Sequence, residues 1–292
     1  MTISIAHLAP PGTYAEQAAM IYRNCLTQVT DEQALLCPHS TIPQTLRAVS
    51  EGETSLAVVP VENSIEGSVS VTFDTLWQLD NLRIQLALVM PITHTLISCA
   101  SNLETIQTVY SHPQALAQCQ KWLENFLPQA QQIPTNSTTE ALKLLRDDIT
   151  AAVISSQRAA QLNYLPILTT GINDYPGNCT RFWVVSQNHQ PNAYKALRNT
   201  PSHTSIAFTV PANVPGALVK PLQVFAHLGI NLSKIESRPT KRSLGEYLFF
   251  IDLEADAASP LMNSALTELA NYTEVMKLFG SYDVMPITNI SI

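Results

Sequence analysis

A chain of 292 residues, 46% of them apolar, has the length of about two domains and enough apolar side chains for a sizeable core. Charged residues make up only 13%, against about 25% in an average domain, and a net charge of −7 without a basic stripe argues against a nucleic-acid partner. No run approaches the ~20 apolar residues of a membrane span, and the N-terminus lacks the features of a secretory signal. The five cysteines have no CxxC spacing, as expected of reduced thiols in a cytoplasmic protein. Neither a Cys/His cluster nor an HExxH pair suggests a metal, and the nine glycines form no GxGxxG or Walker loop, so no cofactor is expected.

In chain order, short apolar runs alternate with helical patterns. The strand SIAHLA precedes a helix from Tyr14, a second helix over TIPQTLRAVSEG, the strand SLAVVPV and a helix over VTFDTLWQL. The strands IQLALVMPI and QTVYSH follow, then one helix over PQALAQCQKWLENF and another over STTEALKLLRDD, whose Ser137 and Glu140 have capping-box spacing. The buried strand AAVIS, the helix SQRAAQLN and the strand TRFWVVS complete an α/β unit over residues 1–186, expected to be catalytic and two-lobed. Residues 187–202 are polar, contain two prolines and read as a linker. Residues 203–285 follow the ferredoxin-like order βαββαβ, with Ser259 and Pro260 opening its second helix. Pro221 falls within its first helix, which must therefore start late or kink.

Three polar clusters abut strand ends, where ligands of open α/β sheets bind. Glu62, Asn63 and Ser64 follow SLAVV and supply an anion, an amide and a hydroxyl, although the same residues suit a solvated turn. Ser111 could cap the next helix and present Gln114 and Gln118 on one face, where free amides would suit a carboxylate; the plainer reading is a helix end satisfied by solvent. In Asn178-Cys179-Thr180-Arg181-Phe182, a threonine and an arginine enter a strand, either for function or as ordinary strand residues. In the C-terminal module, Gly216, Ala217, Leu218 and Val219 could hold a carboxylate, and Asn231 and Glu236 an ammonium, as an amino-acid site would; a helix start and an edge strand explain them equally well.

The strings PVENSIEGSV, SHPQALAQC, NCTRF, GALV and ESRP occur in that order, and with them the chain resembles the prephenate dehydratase family over nearly its whole length. The resemblance implies a bilobal, periplasmic-binding-protein-like catalytic domain joined to an ACT regulatory domain. It implies conversion of prephenate to phenylpyruvate, feedback regulation by L-phenylalanine, and a homodimer or homotetramer. Thr180, Arg181, Glu62, Ser111 and Gln118 are then the expected catalytic residues, with Thr13, Asn63, Ser64, Gln114, Asn178 and Phe182 around the substrate. Thr180 is cast as hydrogen-bond donor to the departing 4-hydroxyl, and Arg181 as anchor of the pyruvyl carboxylate, because pairing to the carboxylate that is lost would stabilise the ground state. A proton-donating Glu62 would have to be buried. Phenylalanine is expected at Gly216–Val219, Asn231, Leu232, Glu236, Ser237, Arg238 and Pro239. The opening string departs from the family pattern at Ala9 and at Tyr14-Ala15, so only Gly12 and Thr13 are carried over from it. Two alternatives stay open: an arogenate dehydratase, and a non-catalytic bilobal binding protein.

Overall fold

The computed structural model describes residues 3–30, 32–188 and 200–287. The first lobe holds β1 (Ile3–Leu8), α1 (Tyr14–Thr30), β2 (Ala34–His39), α2 (Ile42–Ser50), β3 (Leu56–Asn63), β4 (Gly67–Ser68), α3 (Ser70–Gln78) and β5 (Leu82–Pro91). The second holds β6 (Thr95–Ile97), β7 (Thr108–Ser111), α4 (Pro113–Ala117), α5 (Gln120–Phe126), β8 (Gln131–Pro134), β9 (Ala151–Ser155), α6 (Gln157–Leu162) and β10 (Ile167–Thr170). The chain then returns to the first lobe through β11 (Cys179–Gln187). The C-terminal module comprises β12 (His203–Thr209), α7 (Val219–His227), β13 (Leu232–Pro239), β14 (Tyr247–Leu253), α8 (Pro260–Leu269) and β15 (Val275–Pro286).

First-lobe strands run in the order β5-β11-β3-β1-β2, and second-lobe strands in the order β10-β6-β9-β7-β8. Apolar runs in β3 and β11 suit central strands covered on both faces. Leu56, Val58, Phe182 and Val184 pack under α1, while Val59, Val61, Trp183 and Val185 pack on the opposite side with residues of α2 and α3. β2 escapes sequence reading because Pro38 and its partly exposed residues weaken the strand pattern; the sheet edge tolerates both.

Two expected helices differ. The one over residues 113–126 is split, since the Asp174 carboxylate accepts from the amides of Lys121 (2.9 Å) and Trp122 (3.1 Å) and starts α5 afresh. The segment after Ser137 is a 3-10 turn over Glu140–Arg146 entered from Thr139, where an α-helix was expected.

α7 starts late, at Val219, which puts Pro221 in the first turn, where its missing N–H would have had no helical acceptor. Ser259 caps α8 by accepting from the Met262 amide at 3.2 Å. Helices α7 and α8 cover one face of the sheet β13-β14-β12-β15, while Ala207, Leu248 and Phe250 on its other face join Phe73, Leu76 and Trp183 of the first lobe. Of the stretch expected as a linker, 189–199 lies outside the described residues.

β15 fuses the two sheets. Its Val275–Tyr282 portion pairs with β12, and Asp283, Val284, Met285 and Pro286 then pair in parallel with β5, giving one ten-stranded sheet. Gly280 sits at the changeover with φ 143°, and a Cβ there would lie 2.6 Å from the Ile84 carbonyl oxygen. Gly280→Ala should therefore cost at least about 2 kcal/mol, from backbone strain and overpacking together. A thermal melt unchanged by this substitution would contradict the tight crossing.

Candidate active site

Alternation along β11 sorts the NCTRF string between two faces of the sheet. Thr180 and Phe182 face the cleft between the lobes, whereas Cys179 and Arg181 face the C-terminal module. On β3 the register slips between the pairs Arg181–Glu62 and Phe182–Pro60, which leaves Val61 as an extra residue. That bulge lets both Pro60 and Asn63 reach the cleft, with Glu62 on the far side.

The cleft holds a cavity of about 360 Å3. Leu8, Thr13, Tyr14, Pro60, Asn63, Ile92, Thr180 and Phe182 line it, together with His94, His112, Gln114, Gln118, Ser137 and Thr138. Among the described residues its wall includes no Lys, Arg, Asp or Glu. The lobes touch beside it: Ser156 Oγ donates to the Gly12 carbonyl at 2.5 Å, and a Cβ at Gly12 (φ 89°) would lie 3.1 Å from Ala159. Glycine permits that close approach.

A hydrogen-bonded row of side chains crosses the cavity floor. Asn63 Oδ1 accepts from the backbone amides of Ile65 (3.0 Å) and Glu66 (3.1 Å), which turns its Nδ2 toward Thr180 Oγ1 (3.0 Å) and Asn178 Oδ1 (2.8 Å). Ser64 Oγ also donates to Asn178 Oδ1, at 3.2 Å. Asn178 Nδ2 donates to Gln118 Oε1 at 3.0 Å, and Gln118 Nε2 to Glu66 Oε1 at 3.2 Å. His94 Nε2 lies 3.0 Å from the same Gln118 oxygen, and its Nδ1 3.0 Å from Tyr14 Oη. Burial lowers the His94 pKa, against a smaller raising effect of Gln118, and raises that of Tyr14.

A family model for prephenate dehydratase matches residues 5–190, and one for the ACT domain matches residues 204–271. The chain belongs to the prephenate dehydratase family. The bifunctional chorismate mutase/prephenate dehydratase of Aquifex aeolicus is 40% identical over 281 residues, 96% of this chain and 73% of that protein. Prephenate dehydratase of Lactococcus lactis subsp. cremoris is 36% identical over 291 residues, 99% of this chain and 100% of that protein. The crystal structure of prephenate dehydratase from Arthrobacter aurescens in complex with L-Phe has a TM-score of 0.81 at 33% identity, covering 96% of this chain and 90% of that one. The activity is the decarboxylating dehydration of prephenate to phenylpyruvate, and no helix among the described residues is long and apolar enough to cross a membrane.

Of the dehydratase residues expected from sequence, Thr180, Asn63, Gln114, Gln118, Phe182 and Thr13 line the cavity, with Asn178 and Ser64 directly behind it. Three others lie elsewhere. Ser111 is buried and donates to the Ile154 carbonyl at 2.6 Å, tying β7 to β9, while His112 caps α4. Arg181 Nη2 lies 2.8 Å from both Glu62 Oε2 and Asp252 Oδ2 of β14. Glu62 also pairs with Lys234 of β13 at 2.6 Å. Strand alternation thus turns Arg181 and Glu62, both expected among the catalytic residues, away from the cleft. Burial opposes the charge of Arg181, but Asp252, Tyr282 and Glu62 outweigh it and raise its pKa.

The expected effector residues are divided as well. Along β13, Lys234, Glu236 and Arg238 reach back to the first lobe: Glu236 accepts from Ser68 Oγ (2.9 Å), and Arg238 holds both oxygens of Asp74 (3.1 and 3.2 Å). Glu236 therefore faces the first lobe, with one of its two oxygens on Ser68. Asn231, just before β13, and Ser237 and Pro239 on it are exposed. Sequence reading missed His94 and the hydroxyl of Tyr14; a histidine just after the apolar run IQLALVMPI was the available signal.

Proposed function

We propose that Thr180 donates its hydroxyl hydrogen to the departing 4-hydroxyl of prephenate, in a cavity that holds the dianion with neutral donors. The Asn63 amide carries this reading: Thr180 Oγ1 accepts from it, and the threonine's own hydrogen has no acceptor among the described residues. A donor fixed before the C–O bond breaks stabilises the developing charge without reorganising. The cavity wall without Lys or Arg serves the same end, since a cation on the carboxylate lost as CO2 would favour the ground state over a charge-dispersed transition state. Leu8, Pro60, Ile92 and Phe182 offer an apolar bed for the ring, and Thr13, His112, Gln114 and Thr138 are placed for the pyruvyl carboxylate.

L-phenylalanine is the effector, seated on the outer side of β13 at Gly216–Val219, Asn231, Leu232, Ser237 and Pro239. β13 is a sheet edge, and Ile235 on it, like Val214 and Val219 at the entry to α7, exposes an apolar side chain, which suits a cytoplasmic homodimer or homotetramer that closes over the ligand. Glu62 and Arg181 connect this strand to the cavity, because each is the chain neighbour of a cavity residue, Asn63 and Thr180. Coupling requires phenylalanine to favour one of two arrangements of that contact.

Offering the purified protein prephenate and arogenate separately, with and without L-phenylalanine, tests these assignments. Aromatic product from prephenate, reduced by phenylalanine, is expected. Faster turnover of arogenate would move the substrate to the amino analogue. No product from either would sink the catalytic reading.

A further inference from the structure

We infer that His94 is a positioning residue for the dehydration, fixing through Gln118, Asn178 and Asn63 the direction in which Thr180 offers its hydrogen. This rests on the assignment of Thr180 as donor. His94 stands between β5 and β6, at the first of the two crossings between lobes, and is 3% exposed. The second crossing grips its backbone. Its amide donates to Asn173 Oδ1 at 2.6 Å, and its carbonyl accepts from Gly171 (3.0 Å) and Ile172 (3.3 Å). Its ring meets one group from each lobe, Tyr14 at the start of α1 and Gln118 at the end of α4, with the Tyr14 ring packed edge-on at 5.7 Å. Both ring contacts therefore exist only at this separation of the lobes.

Donor and acceptor roles along the row follow from backbone amides, which can only donate. The amides of Ile65 and Glu66 make Asn63 Oδ1 an acceptor, so Asn63 Nδ2 donates to Thr180 and Asn178. Asn178 then uses Nδ2 toward Gln118, whose own Nε2 is turned to the Glu66 carboxylate. Gln118 Oε1, which already accepts from Asn178, can only accept again, so in its 3.0 Å contact with His94 the hydrogen is carried by Nε2. The Tyr14 hydroxyl, also 2.9 Å from the Thr93 carbonyl, holds the other edge of the ring. Without His94, Gln118 loses the contact that joins it to the crossing between the lobes and is held only by Asn178 and the exposed Glu66. Asn178 then loses a fixed partner, and the Asn63 amide, still anchored at Oδ1 by Ile65 and Glu66, loses the set acceptor that holds its Nδ2 beside Thr180.

Kinetics of His94→Phe and His94→Gln, alone and combined with Thr180→Val, test this. His94→Phe should lower kcat about 10- to 100-fold, the scale of a small misplacement of a reacting group, with KM changed by less than about threefold. His94→Gln, whose amide can donate to Gln118, should recover much of that loss. In the Thr180→Val background, His94→Phe should change kcat less than about twofold, because the two residues act as one unit. Should the phenylalanine variant not fold, His94→Ala takes its place in the same cycle. If Thr180→Val alone keeps full activity, the donor assignment fails. If Thr180→Val is impaired but the His94 variants keep their rate, or the two losses multiply, the positioning role of His94 fails.

Discussion

Thr180→Val is expected to lower kcat about 10²- to 10³-fold with KM nearly unchanged, the signature of a single preorganised donor used in the transition state. Valine keeps the shape and removes only the hydroxyl, so β11 retains its pairing with β3 and β5. Asn63 loses one acceptor at 3.0 Å but keeps Asn178 at 2.8 Å, so the row behind the cavity stays assembled. Thr180→Ser, which keeps the hydroxyl, should retain most of the rate. A valine variant within about threefold of the parent would remove Thr180 from the chemistry, since losing a donor of this kind costs far more.

Arg181→Ala should produce the opposite pattern, a loss of about 3–5 kcal/mol of stability with little change in KM for prephenate where the protein remains folded. One guanidinium nitrogen lies 2.8 Å from two carboxylates, and the Asp252 side chain is only 4% exposed. Removing the cation leaves Asp252 in the interior with Ser205 as its remaining hydrogen-bond donor among the described residues. Glu62 loses one of two cations but keeps Lys234. The same change should weaken inhibition by L-phenylalanine, because it cuts the link between β14 and the strand bearing Thr180. Arg181→Lys keeps the charge without the fork and should fall between the two. Thermal melts together with phenylalanine titrations distinguish the cases. Normal stability with a KM raised more than about tenfold would return Arg181 to the substrate, since that is the mark of lost ground-state binding.

Much of this arrangement was legible in the chain. Much of the order of strands and helices, though not β2, β6, β8 or β10, and the cap at Ser259 follow from local rules that the structure keeps, and of the late start or kink that Pro221 required the structure has the late start. Family strings brought Asn63, Gln118, Asn178 and Thr180 together although up to 117 residues separate Asn63 from Thr180. Less legible was Ser111, which reads as a helix cap in a short window. Its position at the end of β7, beside the Ile154 carbonyl, instead makes it a tie between strands. The split between α4 and α5 depends likewise on Asp174, about fifty residues downstream.

By itself the sequence determined which residues must be neighbours along strands, and hence that Thr180 and Arg181 point to opposite faces, since side chains alternate in any β-strand. Only the tertiary structure decided which face meets the substrate cleft and which meets the ACT module. That choice depends on what packs on each side of β11: α1 and the second lobe on one, α3 and the C-terminal sheet on the other. It likewise decided that His94 belongs to the site, because its partners Tyr14 and Gln118 lie 80 and 24 residues away and meet it only once the lobes are assembled.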